Sequence, residues 1–128
     1  MPSHFSGLDT VIIRVRDITS ATAWYTQKLG AEALYEDEEQ HLAVVEIGGS
    51  PDGDTVGSTL TLWQLEPGTE WSASSTYPIL ATPDALAAHA ALRDLGVAVS
   101  EITETPGVRF FRFTDPDGNQ LEACEVKE

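Results

Sequence analysis

The chain has 128 residues, one domain's worth, and at that size a folded surface of about 6,600 Å² would hide about two-thirds of what the extended chain exposes, without staples. Its 21 Asp and Glu against 7 Lys and Arg leave a formal charge of -14, which repels nucleic-acid phosphates and anionic membranes, so neither is expected as a partner. No apolar run is long enough to span a bilayer, residues 1–20 lack a basic and greasy leader, and Cys124 stands alone; the expectation is a cytoplasmic protein with no intrachain disulfide and no cysteine-built zinc site.

Residues 8–16 alternate and are rich in Val and Ile, which predicts a strand. Asp17, Thr19 and Ser20 supply cap chemistry for a helix over 21–29, where Ala21, Trp24, Tyr25 and Leu29 recur at helical spacing and Gly30 offers a left-handed stop. That spacing assigns Trp24 and Tyr25 to the core. Extended stretches follow near 31–36, 41–47 and 58–65, with the Gly- and Asp-rich segment 48–57 as a hairpin loop. Around Trp71, over 66–75, the composition shifts to Pro, Gly, Ser and Thr, which suits a linker crossing the surface. The pattern then restarts. A short strand near 77–81 leads through Thr82, Pro83 and Asp84 into a helix over 85–95 that stops at Gly96. Strands at 97–103, 108–114 and 119–126 complete the chain, the last two joined by the turn Asp115-Pro116-Asp117-Gly118. Each half reads βαβββ. Gly30 and Gly96 lie 66 residues apart and Asp17 and Asp84 lie 67 apart, so the halves register as an internal duplication.

Three pieces carry a family likeness: Val11-Ile12-Ile13-Arg14-Val15-Arg16-Asp17; Ala23-Trp24-Tyr25 with Lys28-Leu29-Gly30; and Phe113-Thr114-Asp115-Pro116-Asp117-Gly118-Asn119-Gln120-Leu121-Glu122. Through them the chain resembles the vicinal oxygen chelate superfamily, which holds glyoxalase I, bleomycin-resistance proteins, fosfomycin-resistance enzymes and extradiol dioxygenases. The resemblance implies an α+β fold: two βαβββ modules, about 8–65 and 76–126 with the linker 66–75 between, whose mixed sheets form an open, curved cup around one ligand cavity. It also implies a homodimer. Family metalloenzymes hold a divalent ion from the first and last strand of each module, and those four positions fall here on Thr10, Thr61, Tyr77 and Glu122. Threonine is a poor ligand, and Tyr77 would ligate only as a costly phenolate. Glu122 alone keeps a ligand's chemistry, whereas a catalytic site presents about three His or carboxylate groups. His4 lies in a tail, His89 flanks a helix stripe, and His41 and Glu46 fall on opposite faces of one strand. No metal or other cofactor is therefore expected.

Alternation puts Gln120, Glu122 and Cys124 on one face of the last strand and Thr10, Ile12 and Arg14 on one face of the first, so an Arg14–Glu122 pair is expected inside the cup. Ile12, Trp63, Tyr77, Ile79 and one of Phe111 or Phe113 are expected to line it, with Thr10 and Thr61 as further contacts to a flat organic ligand. Two functions fit these residues. The first is a metal-free binding protein of the bleomycin-resistance type, which sequesters a small aromatic or cationic compound, in the manner of antibiotic resistance, without altering it. The second is a lyase or isomerase of the glyoxalase kind, with Glu122 as its catalytic general base or last metal ligand. A cup used as an interaction surface is a third.

Overall fold

Strand β1 (Val11–Val15) realises the period-two alternation: Ile13 and Val15 turn into the core, while Ile12 and Arg14 turn away from it. The computed structural model of the chain describes residues 3–128; Met1 and Pro2, the start of the stretch read for a leader, lie outside the described residues. Helix α1 (Ile18–Leu29) begins earlier than its apolar spacing predicts, because Asp17 is itself the N-cap and accepts the Ser20 N–H at 3.4 Å. Gly30, at φ 70°, ends the helix by returning its N–H to the Tyr25 carbonyl. Strands β2 (Glu32–Asp37), β3 (Leu42–Ile47) and β4 (Ser58–Gln64) complete the first half.

The second half repeats the plan with β5 (Ile79–Ala81), α2 (Ala85–Asp94), β6 (Thr103–Glu104), β7 (Val108–Thr114) and β8 (Gln120–Val126). Asp84 caps α2 as Asp17 caps α1, accepting the Ala87 N–H at 3.0 Å. The strands form two four-stranded sheets, ordered β1-β4-β3-β2 and β5-β8-β7-β6, each with its first strand parallel to its last. Ile12 pairs with Thr61 in one and Ile79 with Glu122 in the other, the same two positions of the repeat. This is an α+β fold of two open mixed sheets.

Besides the strand over 8–16, which is reduced to Val11–Val15, two expected strands come out shorter. The one near 77–81 starts only at Ile79, since Pro78 has no N–H for a ladder, although its carbonyl still accepts the Glu122 N–H at 3.1 Å. The one over 97–103 shrinks to a bridge between Val99 and Phe113 followed by β6. There Ser100 donates its N–H to the Arg112 carbonyl but accepts the Arg112 N–H on its hydroxyl, at 2.8 Å, so a side-chain oxygen takes a ladder carbonyl's place.

α1 packs on β3 and β4, and α2 on β7 and β8, each covering one face of its sheet. The buried side chains run continuously from Val15, Tyr25, Val45 and Leu62 of the first half to Val97, Phe111, Phe113 and Leu121 of the second. Hydrogen bonds lock the junction. The Tyr25 hydroxyl donates to buried Asp115 at 2.8 Å, and the same carboxylate accepts the N–H groups of Asp117 and Asn119 and the Asn119 side-chain amide. Asn119 Nδ2 also donates to the Arg14 carbonyl at 2.9 Å. The linker is tied to the same place: Trp71 Nε1 donates to Asn119 Oδ1 at 3.1 Å, and the Arg16 guanidinium lies 5.1 Å above the Trp71 ring while pairing with Asp117. A side chain on Gly118, at φ 96°, would meet that ring at 3.3 Å.

Burial, and then the Asp115 charge, push the Tyr25 phenol far above its ordinary value, so it stays a donor. Tyr25→Phe leaves a buried carboxylate short of one donor and is expected to cost about 1.5–3 kcal/mol in urea unfolding; a loss within error would show that the junction does not depend on this bond. Acid acts elsewhere. The Ser20 hydroxyl holds the Asp17 carboxyl below its ordinary 3.8, and Arg109, with Lys127, holds that of Glu104 below 4.5. Because both folded values are depressed, their stabilisation is complete above those ordinary values and is lost as pH falls through the folded ones. The thermal midpoint should therefore drop in this acid range, and Glu104→Gln should flatten part of the drop; an unchanged slope in the variant counts against the assignment.

Candidate functional site

With the helices on one face of each sheet, residues of the opposite parity are left on a helix-free face. On the first sheet these are Ile12, Arg14, Thr61 and Trp63, preceded by Thr10. On the second they are Ile79, Arg112, Thr114, Gln120 and Glu122. The two faces adjoin at a cleft of about 330 Å³, with Ile12 and Arg14 on one side, Thr114 and Gln120 on the other, and Ser72, Thr76 and Pro78 of the linker across it. This volume lies in the range of small-molecule sites. Glu122 and Arg112 lie one strand repeat beyond Gln120 and Thr114 on the same face. Ile12 and Ile79 remain 53% and 57% exposed, and Tyr77 is half-buried between lining residues Thr76 and Pro78.

The first half of the site is internally satisfied. The Thr10 and Thr61 hydroxyls lie 2.9 Å apart, and Thr10 Oγ1 also reaches the Thr59 carbonyl at 3.3 Å. Arg14 donates through Nε to the Trp63 carbonyl at 3.2 Å and through Nη2 to that of Gln64 at 3.1 Å, with its guanidinium 5.3 Å above the Trp63 ring. The Trp63 indole N–H is taken by the Gln40 carbonyl.

Two expectations are corrected here. Arg14 does not pair with Glu122: its fork is occupied by backbone carbonyls, and the cation beside Glu122 is its cross-strand neighbour Arg112, with Nε at 3.6 Å. Phe111 and Phe113 do not line the cleft either. They pair with Ala123 and Leu121, which puts both rings on the helix side, fully buried, and leaves Phe110, Arg112 and Thr114 on the open face. Arg112 is the residue the sequence reading missed. Counting back across the 115–118 turn from Glu122 would have found it. His89 is structural, its ring nitrogen 2.8 Å from the Ser100 carbonyl and its edge against Phe111. His4 and His41 are exposed.

The four family ligand positions thus hold a mutually hydrogen-bonded hydroxyl pair, a tyrosine, and one carboxylate beside an arginine. Among the described residues no three His, Cys, Asp or Glu side chains converge. That donor set does not fit a catalytic divalent ion.

A family model described as the Glyoxalase/Bleomycin resistance protein/Dioxygenase superfamily matches residues 7–123. The chain belongs to that superfamily. No curated protein matches it. Among solved structures it is similar to TnmS3, an antibiotic binding protein from Streptomyces sp. CB03234, at 26% identity and a TM-score of 0.80, over 98% of this chain and 100% of that one. A glyoxalase/bleomycin resistance protein from the same Streptomyces is 27% identical, with a TM-score of 0.70, over 89% of this chain and 96% of that one. An integron cassette protein from the mobile metagenome of Halifax Harbour sewage outfall shares the fold at 20% identity and a TM-score of 0.80, covering 95% of this superfamily member and 100% of its own chain. No helix among the described residues is long and apolar enough to cross a membrane.

Arg14→Gln should release the Trp63 and Gln64 carbonyls and the ring contact, costing about 1 kcal/mol in unfolding and shifting tryptophan emission. Unchanged stability and emission would mean that Arg14 is not held as described.

Proposed function

We propose that this superfamily member is a binding protein that captures a small organic compound, aromatic or cationic, in the helix-free cleft without a metal or other cofactor and without altering it. The observation that carries the reading is a cleft of ligand-sized volume lined in part by Val11, Ile12 and Pro78, with Ile12 53% exposed, on the same open face as family ligand positions whose residues do not suit an ion. The likeness to an antibiotic binding protein along almost the whole chain supports it and supports a part in antibiotic resistance.

The capture site is completed in a homodimer. The single chain exposes 8565 Å². That is about 2,000 Å² more than a compact monomer of its mass, ample for the roughly 800 Å² each partner contributes to a stable interface. Light scattering of the purified protein checks this, and a monomer at micromolar concentration would overturn it. A cytoplasmic location accords with the charge and the single cysteine.

Titration with aromatic compounds should change tryptophan emission saturably, because Trp63 stands on the open face, and Ile12→Glu, at a residue lining the cleft, should weaken that binding by about tenfold or more. Elemental analysis of protein purified without chelator is expected to find no stoichiometric transition metal. A stoichiometric ion, or turnover of a dicarbonyl-derived substrate that Glu122→Gln abolishes, would replace capture with the glyoxalase-type reading, which the buried, open-sided Glu122 favours.

A further inference from the structure

Buried carboxylates are ordinarily surrounded by donors, and Asp115, at 4% exposure, takes four hydrogen bonds. Glu122 is comparably buried as a residue, at 7%, yet among the described residues its side chain takes none, and its oxygens reach solvent on the open face. Its polar neighbour is Arg112 Nε, at 3.6 Å, beyond hydrogen-bond reach. Arg112 is the converse case: its side chain is 54% exposed and its guanidinium makes no hydrogen bond among the described residues, whereas Arg14 has both ends of its fork engaged. An acceptor and a donor group thus stand side by side on the open face, ion-paired at 3.6 Å but each without a hydrogen bond from the described residues. Ile79, paired with Glu122 in register, forms an apolar wall next to them.

We propose that Glu122 and Arg112 together read one edge of the ligand, and that this edge is neutral, presenting a hydrogen-bond donor beside an acceptor on a flat aromatic body, as a carboxamide, lactam or hydroxy-ketone does. The inference rests on the capture reading and narrows its ligand. A carboxylate drawn to Arg112 would press against Glu122, and an ammonium drawn to Glu122 would press against Arg112; at these separations attraction and repulsion are of similar size and nearly cancel. A neutral edge meets no repulsion. Its donor fills Glu122, its acceptor engages Arg112, and each replaces water or nothing at all with a charge-assisted hydrogen bond.

Calorimetric titration of the whole protein with three naphthalene probes differing only in the polar edge tests this: the carboxamide, the carboxylate and the methylammonium. The carboxamide is expected to bind about tenfold or more tightly than either ion. Glu122→Gln leaves Arg112 unbalanced and should move the preference to the carboxylate; Arg112→Gln, at a side chain 54% exposed, should move it to the ammonium, with thermal unfolding of both variants checking that they stay folded. A wild-type preference for either ion, or an order that neither variant changes, overturns the proposal. Ions that bind while the carboxamide does not would leave capture standing and remove only this inference; no binding by any probe would remove both.

Discussion

The carboxylate of Asp115 is the point on which the two halves of the chain converge. It sits in the tight turn between β7 and β8, yet its strongest distant partner is a tyrosine 90 residues earlier on α1. Through Asn119, which it holds, the turn also grips the backbone of β1 and the indole of the linker. Burying an ion is costly unless its lone pairs have partners, and here the partners come from both repeats: Tyr25 from the first, and Asp117 and Asn119 from the second. The junction therefore draws on groups from both halves at once. It sets β1 against the start of β8, and so makes one cleft out of two open sheet faces.

The duplication explains where the chemistry lies. Equivalent caps, Asp17 and Asp84, start equivalent helices, and equivalent registers bring Thr61 opposite Ile12 and Glu122 opposite Ile79. Within this common frame the side chains have diverged. One repeat carries two hydroxyls that satisfy each other, and the other carries a carboxylate and a guanidinium that do not. In a chain of charge -14, an arginine left with its fork open on a helix-free face is a local departure from the general excess of acid.

Much of the architecture was legible because its signals are local. A capping Asp, a Gly in the left-handed region and the 115–118 turn each act over a few residues, and the repeat of the first two, at offsets of 67 and 66 residues, made the two-module plan readable. The site was less legible because its contacts are not local. Residues 108–113 carry apolar side chains at both parities, so alternation could not say whether Phe110 or the pair Phe111 and Phe113 faced the helix; the register with Leu121 and Ala123 decides it. The partner of Arg14 was misjudged for a related reason. A guanidinium on a strand can turn along its own sheet to backbone carbonyls, and no pattern of residue types records that. Trp71 read as linker because its surroundings are polar, while its anchor lies 48 residues away.

Under the capture reading, the mismatch between the hydroxyl pair and the charged pair makes the two sides of the open face unlike. A molecule bound back to front would set its polar end against hydroxyls that already have mates and leave the ion pair without the edge it is read to engage. Duplicated halves could have produced a palindromic receptor, indifferent to which way its guest pointed. If the cleft captures a guest, divergence at the matching positions Thr61 and Glu122 breaks that symmetry, and guests of the same outline would be told apart by which end carries the polar group.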